Sequence, residues 1–297
     1  MEANMLKKIL IPLDGSNLGE LALAYIKELA PAFNSEVHLV SVCERREAEY
    51  RRMMELYLEK IAEQVRADFG KNDQTIPIKT MVLDGDDARE IIEYAQQKQI
   101  NLIVIVSHGR SGIMPWTMGS TANKVVQGAL TPILLVRASS FNGKRRPVKF
   151  FNKILMPLDG SQIGEAALPY VSEIAQKLGS EVTVFSVVES GQHVHTIGGQ
   201  NFVRYTEQQV ESMRAETMRY QVAVSKKLTD SGINVRSIVA EGNAAAEIIK
   251  FSKADNSRLI AMSSHGRSGM RSWVFGSVSN KVLHNSKTPL LIVRASQ

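Results

Sequence analysis

The chain has 297 residues, of which 44% are apolar, 22% charged and 6% aromatic, a globular composition long enough for two domains of ~150 residues. Its single cysteine, Cys43, excludes an intrachain disulfide and a thiolate zinc cluster, and apolar runs such as LIVIV (Leu102 to Val106) fall far short of the ~20 residues of a membrane-spanning helix. The net charge of +6 is uneven, −2 over residues 1–140, +4 over 141–150 and +4 over 151–297, so no basic stripe with stacking aromatics points to nucleic acid.

The opening segment, MEANMLKKILIPLDG, lacks a signal-peptide pattern, and with one cysteine a cytoplasmic setting is expected. Ile9 to Leu13 is apolar throughout, as in a strand buried on both faces. Ser16 is placed to cap the next helix, whose Leu18, Leu21, Ala22, Tyr25, Ile26, Leu29 and Ala30 form one stripe. A second strand, Val37 to Val42, leads to a long polar helix near Glu47 to Phe69. A third strand lies around Ile76 to Val82. Gly85 then turns the chain into a helix carrying Ile91, Ile92 and Ala95. A fourth strand, Leu102 to Val106, is followed by a glycine-rich loop, a helix from Ser120 and a fifth strand, Ile133 to Val136.

The whole series then repeats. KILIPLDGS (Lys8 to Ser16) returns as KILMPLDGS (Lys153 to Ser161), and Ser107 to Arg137 matches Ser264 to Arg294 at 17 of 31 positions. The register shifts from 145 to 157 between these blocks, so the second copy has gained 12 residues. Its strands are expected at Val182 to Val187, Ile233 to Val239, Leu259 to Ser263 and Leu290 to Val293, with a long helix over Val203 to Leu228. Two such copies are two domains, residues 1–140 and 151–297. FNGKRRPVKF (141–150) has the composition of an exposed basic linker. Alternating strands and helices predict an α/β fold with two doubly wound parallel sheets. In the order 3-2-1-4-5, strands one and four are neighbours and a ligand crevice opens beyond their ends.

The two most repeated segments, PLDGS and SHGRSG, would line that crevice. Gly109, Gly112 and Gly119 let backbone N–H groups approach an anion, and Gly119-Ser120 opens a helix whose N–H donors and dipole favour phosphate. Arg110 adds charge and Ser120 a hydroxyl. Gly266, Arg267, Gly269, Gly276 and Ser277 repeat the set. Each loop also fits a plain strand-to-helix turn. Asp14 and Asp159, at the end of strand one, are placed to accept a hydrogen bond from a ribose or an adenine amino group. They fit equally a local Asp-Gly-Ser turn.

In these motifs the chain resembles the universal stress proteins in tandem form, over nearly its whole length. That family's nucleotide-binding members carry Gly-x2-Gly-x9-Gly-Ser/Thr after strand four. Its second glycine falls on Gly109 and Gly266, its Gly-Ser pair on Gly119-Ser120 and Gly276-Ser277, and Val106 and Ser263 stand in place of its first glycine. The family's aspartate falls on Asp14 and Asp159, and its adenine-contacting valine on Val42 and Val187. The resemblance implies ATP binding, with or without Mg²⁺, slow or no hydrolysis, a regulatory or stress-response role and pairing of domains through strand five, with further homodimerisation an option.

Two other functions remain open on the residues: an interaction protein of the same fold without nucleotide, and a slow ATPase. Ser107-His108 and Ser264-His265 suggest a Ser–His hydrolase, but adjacent residues rarely face each other as nucleophile and base, and no G-x-S-x-G elbow is present. His193 and His195 lack further metal ligands in the sequence.

Overall fold

The computed structural model describes residues 5–43, 48–70, 75–107, 118–137, 149–196, 199–265 and 275–295. The chain divides into two compact units, the first holding most of residues 1–150 with Pro289–Arg294, the second most of residues 151–288.

In the first unit the continuous apolar runs form β1 (Lys8–Pro12), β2 (Glu36–Cys43), β3 (Ile78–Asp84), β4 (Leu102–Val106) and β5 (Ile133–Val136). They are ordered β3-β2-β1-β4-β5, all parallel. Every residue of β4 and β5 is buried, as a central parallel strand covered on both faces requires. The crossovers are α1 (Ala22–Phe33), α2 (Ala48–Gly70), α3 (Asp87–Gln97) and α4 (Ser120–Gly128), α1 packing beside α2 and α3 beside α4. Asp86 caps α3 by accepting from Arg89 N at 3.1 Å. The strand Leu290–Val293, fifth of the second repeat, is grouped with this unit and runs antiparallel to β5, pairing Leu290 with Leu135 and Ile292 with Ile133. Beside it, the Arg294 guanidinium donates to the carbonyl of Gln127 near the end of α4, where the helix dipole favours a cation.

The second unit repeats the plan. Its strands β6 (Lys153–Pro157), β7 (Glu181–Val188), β10 (Asn234–Glu241) and β11 (Leu259–Ser263) are ordered β10-β7-β6-β11, again parallel. Its helices are α5 (Leu168–Leu178), α6 (Glu207–Thr229), α7 (Ala244–Ala254) and α8 (Ser277–Asn285); Leu290–Val293 is β12. No helix among the described residues is long and apolar enough to cross a membrane.

Two sequence expectations need correction. Ser16 does not open an α-helix: a 3-10 turn, Gly19–Leu21, comes first, and Ser16 Oγ accepts from Gly19 N at 3.1 Å while α1 starts at Ala22. The long helix of the second unit starts at Glu207 rather than Val203, because residues 191–204 form a hairpin, β8 (Gly191–Thr196) with β9 (Gly199–Arg204). Thr206 then caps α6 through a reciprocal bond pair with Gln209, which fixes the helix start. In the first unit β2 and α2 are only four residues apart, so the second copy's extra residues fall in the hairpin segment.

Candidate functional site

Asp159 follows β6 in a turn that its own carboxylate closes. Oδ1 accepts from Ser161 N at 3.0 Å and from Ser161 Oγ at 2.7 Å, and Ser161 Oγ accepts from Gly164 N at 3.0 Å. Gly160 takes φ +84°, the left-handed conformation glycine adopts without strain. A Cβ on Gly164 would collide with Asp159 Oδ1, so this glycine is required for the aspartate to sit where it does. The first unit repeats the device: Ser16 N and Oγ donate to Asp14 Oδ1 at 3.0 and 2.6 Å, and a Cβ on Gly19 would stand 2.8 Å from that oxygen. Gly19 and Gly164 were not singled out from sequence, although the spacing Asp-Gly-Ser-x-x-Gly occurs in both copies.

Across the switch point, β11 ends at Ser263. Its Oγ accepts from His265 N at 3.3 Å, and Ser264 Oγ lies 2.9 Å from His265 Nδ1. The adjacent serine and histidine do face each other here, contrary to the sequence expectation. Ser264 is 0% exposed, so no substrate reaches its hydroxyl. Gly276 N donates to Ser264 O at 2.9 Å, and Ser279 Oγ to the same carbonyl at 2.6 Å, which ties the start of α8 to the end of β11. Gly119 N donates likewise to Ser107 O at 2.7 Å.

Gly276 is the N-cap of α8 and makes no side-chain cap. Its φ of −58° and ψ of 152° suit any residue, and an added Cβ would meet Ser279 Oγ, Ser264 O and His265 Cα at 3.4–3.6 Å, ordinary contact. The fold itself therefore does not demand glycine here. What its missing Cβ leaves open is approach from outside to the first N–H groups of α8, an anion-favouring position.

Asp159, Val187, Ser263, Gly276 and Ser277 line one cavity of about 680 Å³ over the carboxyl ends of β6, β7 and β11. That size is ordinary for a small-molecule site. The rest of its wall was not foreseen: Tyr205 after the hairpin, Met213, Glu216, Thr217 and Tyr220 from α6, and Glu189 after β7. Tyr220 is fixed by donating to Glu165 Oε1 at 2.9 Å, as Tyr57 donates to Glu20 Oε1 at 3.1 Å in the first unit. Among the described lining residues there are three carboxylates, Asp159, Glu189 and Glu216, and neither lysine nor arginine. Asp159 and Glu189 follow β6 and β7, Glu216 stands on α6, and the first N–H groups of α8 belong to the β11 side of the lining.

In the first unit Asp14 lies two residues past the end of β1, the half-buried Val42 lies in β2, the buried Val106 ends β4, and Gly119 and Ser120 open α4. Gly109, Arg110, Gly112, Gly266, Arg267 and Gly269 lie outside the described residues, as do His108 and the linker through 148.

Fold and site together define a doubly wound α/β protein, built twice, with a ligand-sized crevice at a topological switch point. The family model "Universal stress protein family" matches residues 5–137 and again 150–294. The chain is 30% identical to universal stress protein YxiE of Bacillus subtilis over 148 residues, 48% of this chain and 99% of that protein. It is 24% identical over 227 residues to a universal stress protein of Mycobacterium tuberculosis, covering 75% of this chain and 71% of that one. A crystal structure of a universal stress protein from Archaeoglobus fulgidus superimposes over 100% of both chains at a TM-score of 0.70 and 19% identity, which shows the shared fold. The chain belongs to the universal stress protein family, in tandem form.

Proposed function

We propose that this is a cytoplasmic stress-response module that binds adenine nucleotide, foremost ATP with or without Mg²⁺, in the second-unit cavity and hydrolyses it slowly or not at all. The observation that carries this reading is the cavity itself, where the uncapped N-terminus of α8 meets Asp159 and Val187. Phosphates would meet the Gly276-Ser277 N–H groups, with Gly266, Arg267 and Gly269 contributing from the same loop. Asp159 would take the ribose and Val187 the adenine. In the first unit Asp14, Val42, Gly109, Arg110, Gly112, Gly119 and Ser120 would act alike. Fast hydrolysis needs a positioned water and stabilised transition-state charge, and among the described residues neither lysine nor arginine lines the cavity to supply that charge. Mass spectrometry of the denatured, freshly purified protein tests this: adenine nucleotide released in stoichiometric amount supports it. Protein that is nucleotide-free and gives no heat with ATP favours an interaction protein of the same fold.

Pairing of the two repeats through their fifth strands belongs to the same proposal. The antiparallel register of β5 with β12 supports it, since an open apolar edge invites pairing. Residues 1–140 expressed alone then self-associate through β5 in sedimentation experiments, whereas a folded monomer would contradict the pairing.

A further inference from the structure

Ala244 opens α7 and Val278 lies in the first turn of α8, and both line the second-unit cavity. The repeat shift of 157 residues sets them on Asp87 and Thr121, which hold the same places on α3 and α4. There the two side chains meet: Thr121 Oγ donates to Asp87 Oδ2 at 3.4 Å. A carboxylate thus stands against the first turn of α4, where the other unit has alanine and valine. The preceding position follows suit. Asp86 draws Lys124 Nζ to 3.4 Å, whereas its counterpart is the neutral Asn243, and Lys281, the counterpart of Lys124, has no carboxylate partner among the described residues. Glu189 does reach the start of α7, its Oε1 accepting from Ala244 N at 3.5 Å, but from an exposed position where water screens its charge.

Helix formation does not require this charge. Asp86 Oδ1 caps α3 by accepting from Arg89 N at 3.1 Å, Asn243 Oδ1 caps α7 by accepting from Ala246 N at 3.2 Å, and α7 forms with alanine where α3 has Asp87. What the charge does change is the start of α4. Free N–H groups there attract an anion, and Asp87 already supplies a fixed one beside them. Like charges at short range oppose each other, so a phosphate entering the first crevice would meet a carboxylate that the second crevice lacks at that place. We infer that Asp87 is a specificity-determining residue that sets the first crevice against phosphate, leaving the chain one crevice for a triphosphate and one that favours a ligand of lower charge. This rests on the nucleotide reading of the cavity.

The test titrates ATP and adenosine into the full-length wild type, Asp87→Asn and Ala244→Asp by calorimetry, with thermal melts of each ligand-free protein. Asp87→Asn removes the charge and keeps an oxygen for Thr121. The wild type should bind one ATP per chain tightly and Asp87→Asn two, the added site gaining about tenfold over its wild-type affinity. Ala244→Asp should weaken the tight site by about tenfold. Adenosine, which carries no phosphate, should bind both variants within about twofold of wild type. Two equal ATP sites in the wild type, or a folded Asp87→Asn that binds ATP as the wild type does, overturns the inference and leaves the nucleotide reading standing. Adenosine affinity that shifts as much as ATP affinity overturns it too, because charge is then not what the crevice reads. If Asp87→Asn does not fold, Ala244→Asp decides, and an unchanged ATP affinity in that variant overturns the inference. A wild type that binds no ATP overturns the nucleotide reading and the inference with it.

Discussion

Ser161 Oγ donates to Asp159 Oδ1 at 2.7 Å, and 145 residues earlier Ser16 Oγ makes the same bond to Asp14 at 2.6 Å. The aspartate thereby holds its own turn through one oxygen, which sets its carboxylate at the cavity floor without help from a ligand. Removing the side chain should therefore cost stability as well as binding. Asp159→Ala is expected to lose about 1–2 kcal/mol in urea unfolding, the worth of hydrogen bonds to a charged acceptor. Asp159→Asn keeps an oxygen at that place and should lose less than about 1 kcal/mol. Equal losses in the two variants would show that the turn bonds contribute nothing.

The two glycines of the site should respond in opposite ways. Gly164→Ala drives a Cβ into Asp159 Oδ1 and is expected to destabilise the protein by about 1–3 kcal/mol through overpacking. Gly276→Ala meets only ordinary contacts, and its stability change should stay within about 1 kcal/mol, backbone restriction offsetting a poorer N-cap. Its affinity for nucleotide should nonetheless fall. Thermal melts paired with ATP titrations separate the two, and a Gly276→Ala protein that binds ATP like wild type would remove the phosphate role from α8.

A network around the buried His38 sets a pH dependence in the first unit. His38 Nε2 lies 2.6 Å from Glu36 Oε1 and Nδ1 lies 2.9 Å from Tyr94 Oη, with Lys79 Nζ 3.0 Å from the same Glu36 oxygen. Burial holds the His38 pKa below its ordinary 6.5, the contact with Glu36 opposing and the charges of Lys79 and Lys8 assisting. At neutral pH the contact is thus a hydrogen bond of neutral imidazole. The unfolded chain takes up this proton more readily than the folded one, so stability is intact above about 6.5 and falls as pH drops through the folded pKa. For Glu36, burial alone would raise the pKa, but the hydrogen bonds with Lys79 and His38 bring it below 4.5, and its contribution is lost at lower pH still. Melting temperature should decline from pH 7 to 5, and His38→Gln should flatten the part near pH 6. An unchanged slope in His38→Gln would place the effect elsewhere.

Steady-state turnover with Mg²⁺-ATP is expected below about 0.01 s⁻¹, in the range of intrinsic nucleotide hydrolysis without an assisting group. Turnover of several per second in clean protein would mean that a base and a charge-stabilising group are present in the cradle.

Much of this architecture is legible in the chain because its strands are buried on both faces. Ile9 to Leu13 and Leu102 to Val106 carry no polar interruption, and the near-verbatim return of the first as Ile154 to Leu158 fixes the repeat. The site was legible where glycines and an aspartate recur at strand ends. It was not legible where the wall comes from elsewhere in the sequence. Glu216, Thr217 and Tyr220 read as one more polar stretch of helix until α6 is seen against β7. The hairpin of residues 191–204 reads as a glycine-bearing loop, since strand pairing is a relation between segments and leaves little trace in either one. Ser16 looks like a helix cap; what turns it to the aspartate is the space left by Gly19, which no local propensity encodes.

The two crevices differ where the family pattern begins, Val106 in one and Ser263 in the other. Valine is β-branched and stiff, whereas Ser263 adds a hydroxyl beside His265. Calorimetric titration of ATP into the full-length wild type, Asp14→Asn and Asp159→Asn tests the central claim most directly. The expected result is ATP binding by wild type that Asp159→Asn weakens severalfold, on the scale of one hydrogen bond, and that Asp14→Asn weakens less. No binding by wild type, or a greater loss with Asp14→Asn, would contradict the assignment of the second crevice as the principal nucleotide site.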